Sequence, residues 1–199
     1  MQTLIVCAVD AEADAVRAGL SEGSAHRVIT VGVGPAAAAA GTATALASGR
    51  YDAVVNAGVC GAFAGRAEVG DVVIADRSIA ADLGVDLADQ FQPLDDLGFG
   101  SIEVSADPAL TRDVEGWRGD LLTLTSITGT GDKAQLLTNR FPKALAEAME
   151  GFGAATAARQ HGVSFAEIRT VSNYVGDRDV ANWNWKQAFG RLTEAVRRL

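Results

Sequence analysis

Thr3-Leu-Ile-Val-Cys-Ala-Val9 runs without a break into Asp10-Ala-Glu-Ala-Asp-Ala-Val-Arg-Ala-Gly-Leu20, and this junction decides how the rest of the chain is read. The apolar stretch is too short to span a membrane, and neither a basic leader nor a small-residue cleavage site accompanies it. It is a strand that turns directly into an Ala-rich helix. Further Val- and Ile-rich strands are expected at His26 to Val31, Ala53 to Ala57, Asp71 to Ala75, Leu121 to Ile127 and Phe165 to Val171. Helices are expected at Pro35 to Ser48 and Gly151 to Gln160, with a closing amphipathic helix from about Asn182 to Leu199. The alternation predicts an α/β fold in which helices flank a mixed, twisted β-sheet. At 199 residues, 48% of them hydrophobic, the chain is read as one domain, residues 1–199. Asp86 to Ser105, punctuated by Pro93, Gly98 and Gly100, reads as a long loop near the site or at a subunit contact.

Seventeen Lys and Arg against twenty-five Asp and Glu give a net charge of −8, so there is no basic surface to neutralise the phosphates of a nucleic acid. No later stretch approaches the length of a membrane span, and a cytoplasmic protein is expected. Cys7 and Cys60 sit in apolar surroundings, which favours buried thiols over a disulfide.

Several motifs fail on their context. Gly32-Val-Gly-Pro-Ala-Ala37 has the letters of a dinucleotide fingerprint, but the only acid near the next strand, Asp52, precedes that strand instead of ending it. A tight turn with Pro35 opening a helix accounts for it. Gly129-Thr-Gly-Asp-Lys133 lacks the ending of a nucleotide P-loop. No nucleophile elbow is present, and His26 and His161 fit neither a triad nor a metal-ligand spacing.

Glu12, Glu150 and Asn173 each stand where a strand ends, and in open α/β sheets ligands collect outside the carboxyl ends of strands. Each also has a plainer reading. Glu12 suits the first turn of a helix, and Asn173 suits a turn.

Nearly the whole chain, from residue 3 to about 179, resembles the nucleoside phosphorylase and nucleosidase superfamily. The resemblance rests on Ala8-Val-Asp-Ala-Glu12, Val31-Gly-Val-Gly-Pro35, Val55-Asn-Ala-Gly-Val-Cys-Gly61 with Val69-Gly-Asp-Val-Val73, Gly131-Asp132, Ala148-Met-Glu150 and Arg169-Thr-Val-Ser-Asn173. It implies a nucleoside phosphorylase-like fold, a small-molecule nucleoside substrate, no metal or organic cofactor, and a homo-oligomer of at least two copies. It further implies that Met149 packs on the ribose, that Glu150 accepts its 2′ and 3′ hydroxyls, and that Glu12 holds and activates the attacking water. Gly58, Val59 and Ser172 are carried over as substrate-binding positions.

Related phosphorylases hold phosphate with arginines in the first loop and ahead of the glycine-rich turn. Here the first loop offers Asp10, Glu12 and Asp14, and the turn reads Asn56-Ala-Gly-Val-Cys60. Such a mouth repels phosphate and favours water. Where the adenine-specific branch carries Ser-Asp, this chain carries Ser172-Asn173. An amide donates to N7 and O6 of a 6-oxopurine, so hypoxanthine suits it better than adenine.

Ser172-Asn-Tyr-Val-Gly-Asp-Arg-Asp179, Asn182-Trp-Asn-Trp-Lys186 and the segment from Asp82-Leu-Gly-Val-Asp86 to Phe91-Gln-Pro-Leu94 resemble a hydrolytic branch of the superfamily. That branch releases hypoxanthine from a nucleoside of the alternative menaquinone pathway. The aryl carboxylate on that substrate's 5′ side asks for an apolar wall and a cation, for which Arg178 is a candidate. Asp177-Arg178-Asp179 also reads as an ion-pair cluster capping the last helix. Gln135, near the expected purine loop, is a candidate reader of the base edge. An adenine-specific nucleosidase, a purine nucleoside phosphorylase and a non-catalytic nucleoside sensor remain as alternatives.

Overall fold

The computed structural model describes residues 1–87, 90–176, 179 and 182–199. Its centre is an eight-stranded mixed sheet. β1 (Thr3–Cys7) lies between β2 (Arg27–Thr30) and β3 (Ala53–Ala62), parallel to both. Every residue of β1 is buried, because alternate side chains enter two different cores. Ile5 and Cys7 pack with α1 (Asp10–Gly19) and α5 (Trp185–Val196) through Val16, Leu192 and Val196. Leu4 and Val6 face α2 (Pro35–Ser48) and α4 (Gly151–Gln160) through Leu46, Ala154 and Ala158. An apolar run buried on both faces is therefore a central strand with helices on each side.

The other half of the sheet closes on itself. β10 (Ser164–Tyr174) runs parallel to β3 along nearly its whole length and antiparallel to β4 (Val72–Ala80). β4 continues to β8 (Trp117–Thr123), β8 to β9 (Ala144–Ala148), and β9 returns to β3 through Gly61↔Glu147 and Ala62↔Ala146. This closure brings the ends of β3, β9 and β10 to one place, beside the β1–α1 junction.

The expected α/β architecture holds, with local corrections. Asn56 to Gly61 is part of strand β3 and not a turn. The segment from Asp86 to Ser105 is not all loop. Gly84–Asp86 (β5) pairs with Phe91–Pro93 (β6), and Glu103–Ser105 (β7) pairs with β4. The sequence reading also omitted β9 and α3 (Gly131–Arg140). Gly129-Thr-Gly-Asp-Lys133 proves to be the start of α3, where the Thr130 hydroxyl accepts the Lys133 N–H. The last helix is capped by Asn184, whose side chain accepts the Gln187 N–H, while Asp179 accepts from the Asn182 side chain.

Helices α2 and α4 cross at Gly153, where an added Cβ would lie 2.1 Å from the Pro35 carbonyl oxygen. Backbone cannot yield as a flexible side chain can. Gly153→Ala is expected to destabilise the protein by about 1–3 kcal/mol, read as a lower urea midpoint at unchanged slope. An unchanged midpoint would mean that the two helices separate freely there.

Candidate active site

Glu12 sits in the first turn of α1, and its carboxylate reaches back over the helix start. Oε2 accepts the N–H groups of Ala8 (2.8 Å) and Val9 (3.3 Å), while Oε1 accepts that of Val59 on β3 (2.9 Å). The helix-turn role and the site role are thus the same geometry: half of a capping box, drawn across to a neighbouring strand. The side chain is 3% exposed. Burial raises its pKa above the usual carboxylate range, against the opposing pull of Arg169 and the Val59 and Ala8 amides. A carboxyl whose pKa is raised is a stronger proton acceptor once ionised than an ordinary one.

Glu150 follows β9 directly and opens α4. Its Oε1 accepts the Gly34 N–H (3.1 Å), and its Oε2 pairs with the Arg169 guanidinium (3.2 Å). Arg169, which is 1% exposed, is the hub that the sequence reading left unassigned. Its Nε donates to Glu167 at 2.9 Å, Nη1 to the Val59 carbonyl at 3.3 Å, and Nη2 also to the Asn56 side chain. Burial works against its charge, but Glu167, Glu150 and Glu12 outweigh that and keep it protonated.

Glu12, Met149, Glu150, Val59, Ser172 and Asn173 line one cleft of about 790 Å³, counted out to its open mouth. The Ser172 hydroxyl donates to Asn173 Oδ1 (2.8 Å), and Asn173 Nδ2 donates to the Tyr174 carbonyl (2.9 Å). With its oxygen engaged by the serine, the amide retains a second N–H for a ligand. Val9, Val33, Ile127, Trp183 and Trp185 supply apolar wall. Trp183 and Trp185 have ring centroids 5.0 Å apart.

Other positions fall elsewhere. Gly58 is buried behind the wall, and an added Cβ would sit 2.4 Å from Glu12 Oε1 and 2.7 Å from Arg169 Nη1. It makes room for that pair and does not line the cleft. Gln135 is exposed on α3, bonded to Asn139 at 2.9 Å, and is not part of the wall. Arg178 lies outside the described residues. Asp10 and Asp14 are exposed and engaged by Thr30 and Arg17, so the acidity of the cleft does not come from them. It comes from Glu12, Glu150 and a third carboxylate, Glu147. Cys7 and Cys60 are free and buried, as expected, and burial raises both thiol pKa values. Among the described residues no group of three or more His, Cys, Asp and Glu is arranged to hold a metal.

The cleft lies where β3, β9 and β10 end beside the β1–α1 junction, and the model of the phosphorylase superfamily matches residues 9–199. In overall fold the chain is similar to a putative methylthioadenosine/S-adenosylhomocysteine nucleosidase from Borrelia burgdorferi bound to adenine, at a TM-score of 0.83 over 98% of each chain and 17% identity. It is 47% identical to a futalosine hydrolase of Streptomyces coelicolor over all of this chain and 95% of the relative. It is 41% identical to that of Acidothermus cellulolyticus over 98% of this chain and 88% of the relative. Within the phosphorylase superfamily, the chain belongs to the futalosine hydrolase family.

If Arg169 holds the carboxylates, Arg169→Met leaves Glu150 and Glu167 buried without their cation. A loss of about 3–5 kcal/mol is expected, measured by chemical denaturation. A loss below about 1 kcal/mol would assign the hub role to another group.

Proposed function

We propose that this protein hydrolyses the N-glycosidic bond of futalosine to hypoxanthine and dehypoxanthine futalosine, with Glu12 as general base and Asn173 as the donor to the leaving base. Membership of the futalosine hydrolase family supports the substrate. The observation that carries the chemistry is the convergence of Glu12, Glu150 and Asn173 on one cleft.

Glu12 Oε1 retains a lone pair beyond its bond to Val59 and holds a water against the anomeric carbon. As the bond from C1′ to the purine nitrogen lengthens, its electron pair moves onto the base and positive charge develops on the sugar. The water oxygen bonds to C1′, and its proton passes to Glu12. The departing purine takes up a proton from solvent, and Glu12 returns its own. The free N–H of Asn173 stabilises charge growing at N7 and O6. Met149 packs on the ribose, and Glu150, held by Gly34 and Arg169, accepts the 2′ and 3′ hydroxyls. Ser172 fixes the amide of Asn173, and Val59 fixes Glu12. The apolar wall of Trp183 and Trp185 suits the aryl extension of the substrate.

Three carboxylates among the lining residues, with the Arg169 guanidinium behind them already paired to Glu150 and Glu167, disfavour a phosphate dianion. The reading extends to the cytoplasm, as two free thiols suit a reducing compartment and no helix among the described residues is long and apolar enough to cross a membrane. It also extends to an assembly of at least two copies, since Leu83, Val85, Leu87 and Phe99 stand exposed around the β5–β6 hairpin.

Purified protein and futalosine in phosphate-free buffer are expected to yield hypoxanthine, followed by chromatography. Glu12→Gln is expected to lower kcat by about 10²- to 10⁴-fold while free hypoxanthine still binds. A proton is accepted only by the ionised carboxylate. Activity therefore falls as pH drops through the raised pKa of Glu12. Failure of the wild-type protein to release hypoxanthine would end the assignment.

A further inference from the structure

Glu147 has no role in the chemistry above, yet it is placed as a ligand-binding group would be. It lies on the cleft wall and is 3% exposed. Its Oε1 accepts the Thr128 N–H at 2.7 Å, while its Oε2 and the Thr128 hydroxyl oxygen are both buried and make no hydrogen bond of normal geometry. Thr128 lies on the same wall. An unpaired carboxylate oxygen away from water is costly unless a ligand completes it. Burial is the main influence on this group and pushes its pKa up, against donation from Thr128 and the charge of Lys133.

The sheet register shows what it faces. Gly61 of β3 pairs with Glu147 of β9 on one side and with Asn173 of β10 on the other. The three residues form a row across adjacent strands, so the α-carbons of Glu147 and Asn173 are about 10 Å apart. Gly61 contributes no side chain between them, and an added Cβ there would come within 3.1 Å of Asn173 Nδ2. The row is a bare floor with a polar group at each end. A purine lying over Gly61 with N7 and O6 toward Asn173 turns its N1 edge toward Glu147.

We infer that Glu147 selects the base, its unpaired Oε2 accepting the N1–H of a 6-oxopurine. This rests on the hypoxanthine-releasing reading and deepens it. In adenine N1 is an acceptor, and its lone pair would confront that of the carboxylate. Discrimination against adenine then comes from two ends: the Asn173 donor at O6 and the Glu147 acceptor at N1. The contact exists in the bound substrate as well as in the transition state. It therefore acts on KM and base preference more than on kcat.

Glu147→Gln is the informative change because Thr128 N–H already demands an oxygen at the Oε1 position. The glutamine must then turn its NH₂ to the cleft, where it opposes N1–H of hypoxanthine and suits N1 of adenine. Calorimetric titration of the whole protein with free hypoxanthine, 1-methylhypoxanthine and adenine tests this without requiring cleavage. The wild type is expected to bind hypoxanthine at least about tenfold more tightly than either of the others. Glu147→Gln is expected to move the hypoxanthine-to-adenine ratio toward adenine by about ten- to a hundredfold, with KM for futalosine raised and kcat kept within a few-fold. An unchanged ratio, or equal weakening of both bases, overturns the inference. Should the variant fail to fold, equal wild-type affinity for hypoxanthine and 1-methylhypoxanthine overturns it alone. If the wild type releases hypoxanthine from futalosine while the ratio is unmoved, only the role of Glu147 falls. If it neither binds the base nor cleaves futalosine, the proposed function falls too.

Discussion

The buried guanidinium of Arg169 is the constraint on which the site depends. A charge this deep is tolerated only when paired, and Arg169 is satisfied by Glu167, Glu150, Asn56 and the Val59 carbonyl. Those partners come from β3, from the β9–α4 junction and from β10 itself, so one side chain ties together the three strands that close the sheet. Because four of its five N–H groups are engaged behind the cleft, its charge is directed at the carboxylates and not at a ligand. The cleft above it is largely apolar, with the carboxylates of Glu12, Glu147 and Glu150 almost buried in its wall.

That arrangement explains how one small fold sets several carboxylates to different tasks. Glu12 is held by three backbone amides and Glu150 by an amide and a cation, whereas Glu147 has a single amide partner. On the roles proposed above, environment and not residue type separates a proton acceptor from a ribose clamp and from a reader of the base edge. Each is held by backbone amides or by Arg169 on rigid elements of the sheet.

Much of this was legible in the sequence, for identifiable reasons. β1 and α1 were plain because an apolar run meets a charged helix start, and Glu12 could be singled out there. Glu150 and Asn173 were found by their places at strand ends and by resemblance. β9 was missed because Ala144-Leu-Ala-Glu-Ala148 is composed of helix-favouring residues and is a strand only through its pairing with β8 and β3. Arg169 and Glu147 were passed over because a charged residue inside a strand looks the same whether its face meets water or a core. Its partners are distant in sequence, 110 and 113 residues away for the Val59 and Asn56 contacts of Arg169. Of the three first-loop acids expected at the mouth, only Glu12 lines the cleft. Asp10 and Asp14 face solvent, and Glu147 takes their place. Gln135 rested on where a family loop lies, and the capped helix α3 turns it outward.

Water, and not phosphate, must reach the anomeric carbon for the site to act as proposed. The most direct measurement is a turnover of futalosine with and without inorganic phosphate, followed by mass spectrometry of the sugar product. An unphosphorylated sugar, released at a rate indifferent to phosphate, is the expected result. A sugar 1-phosphate, or a rate that rises with phosphate, would contradict it.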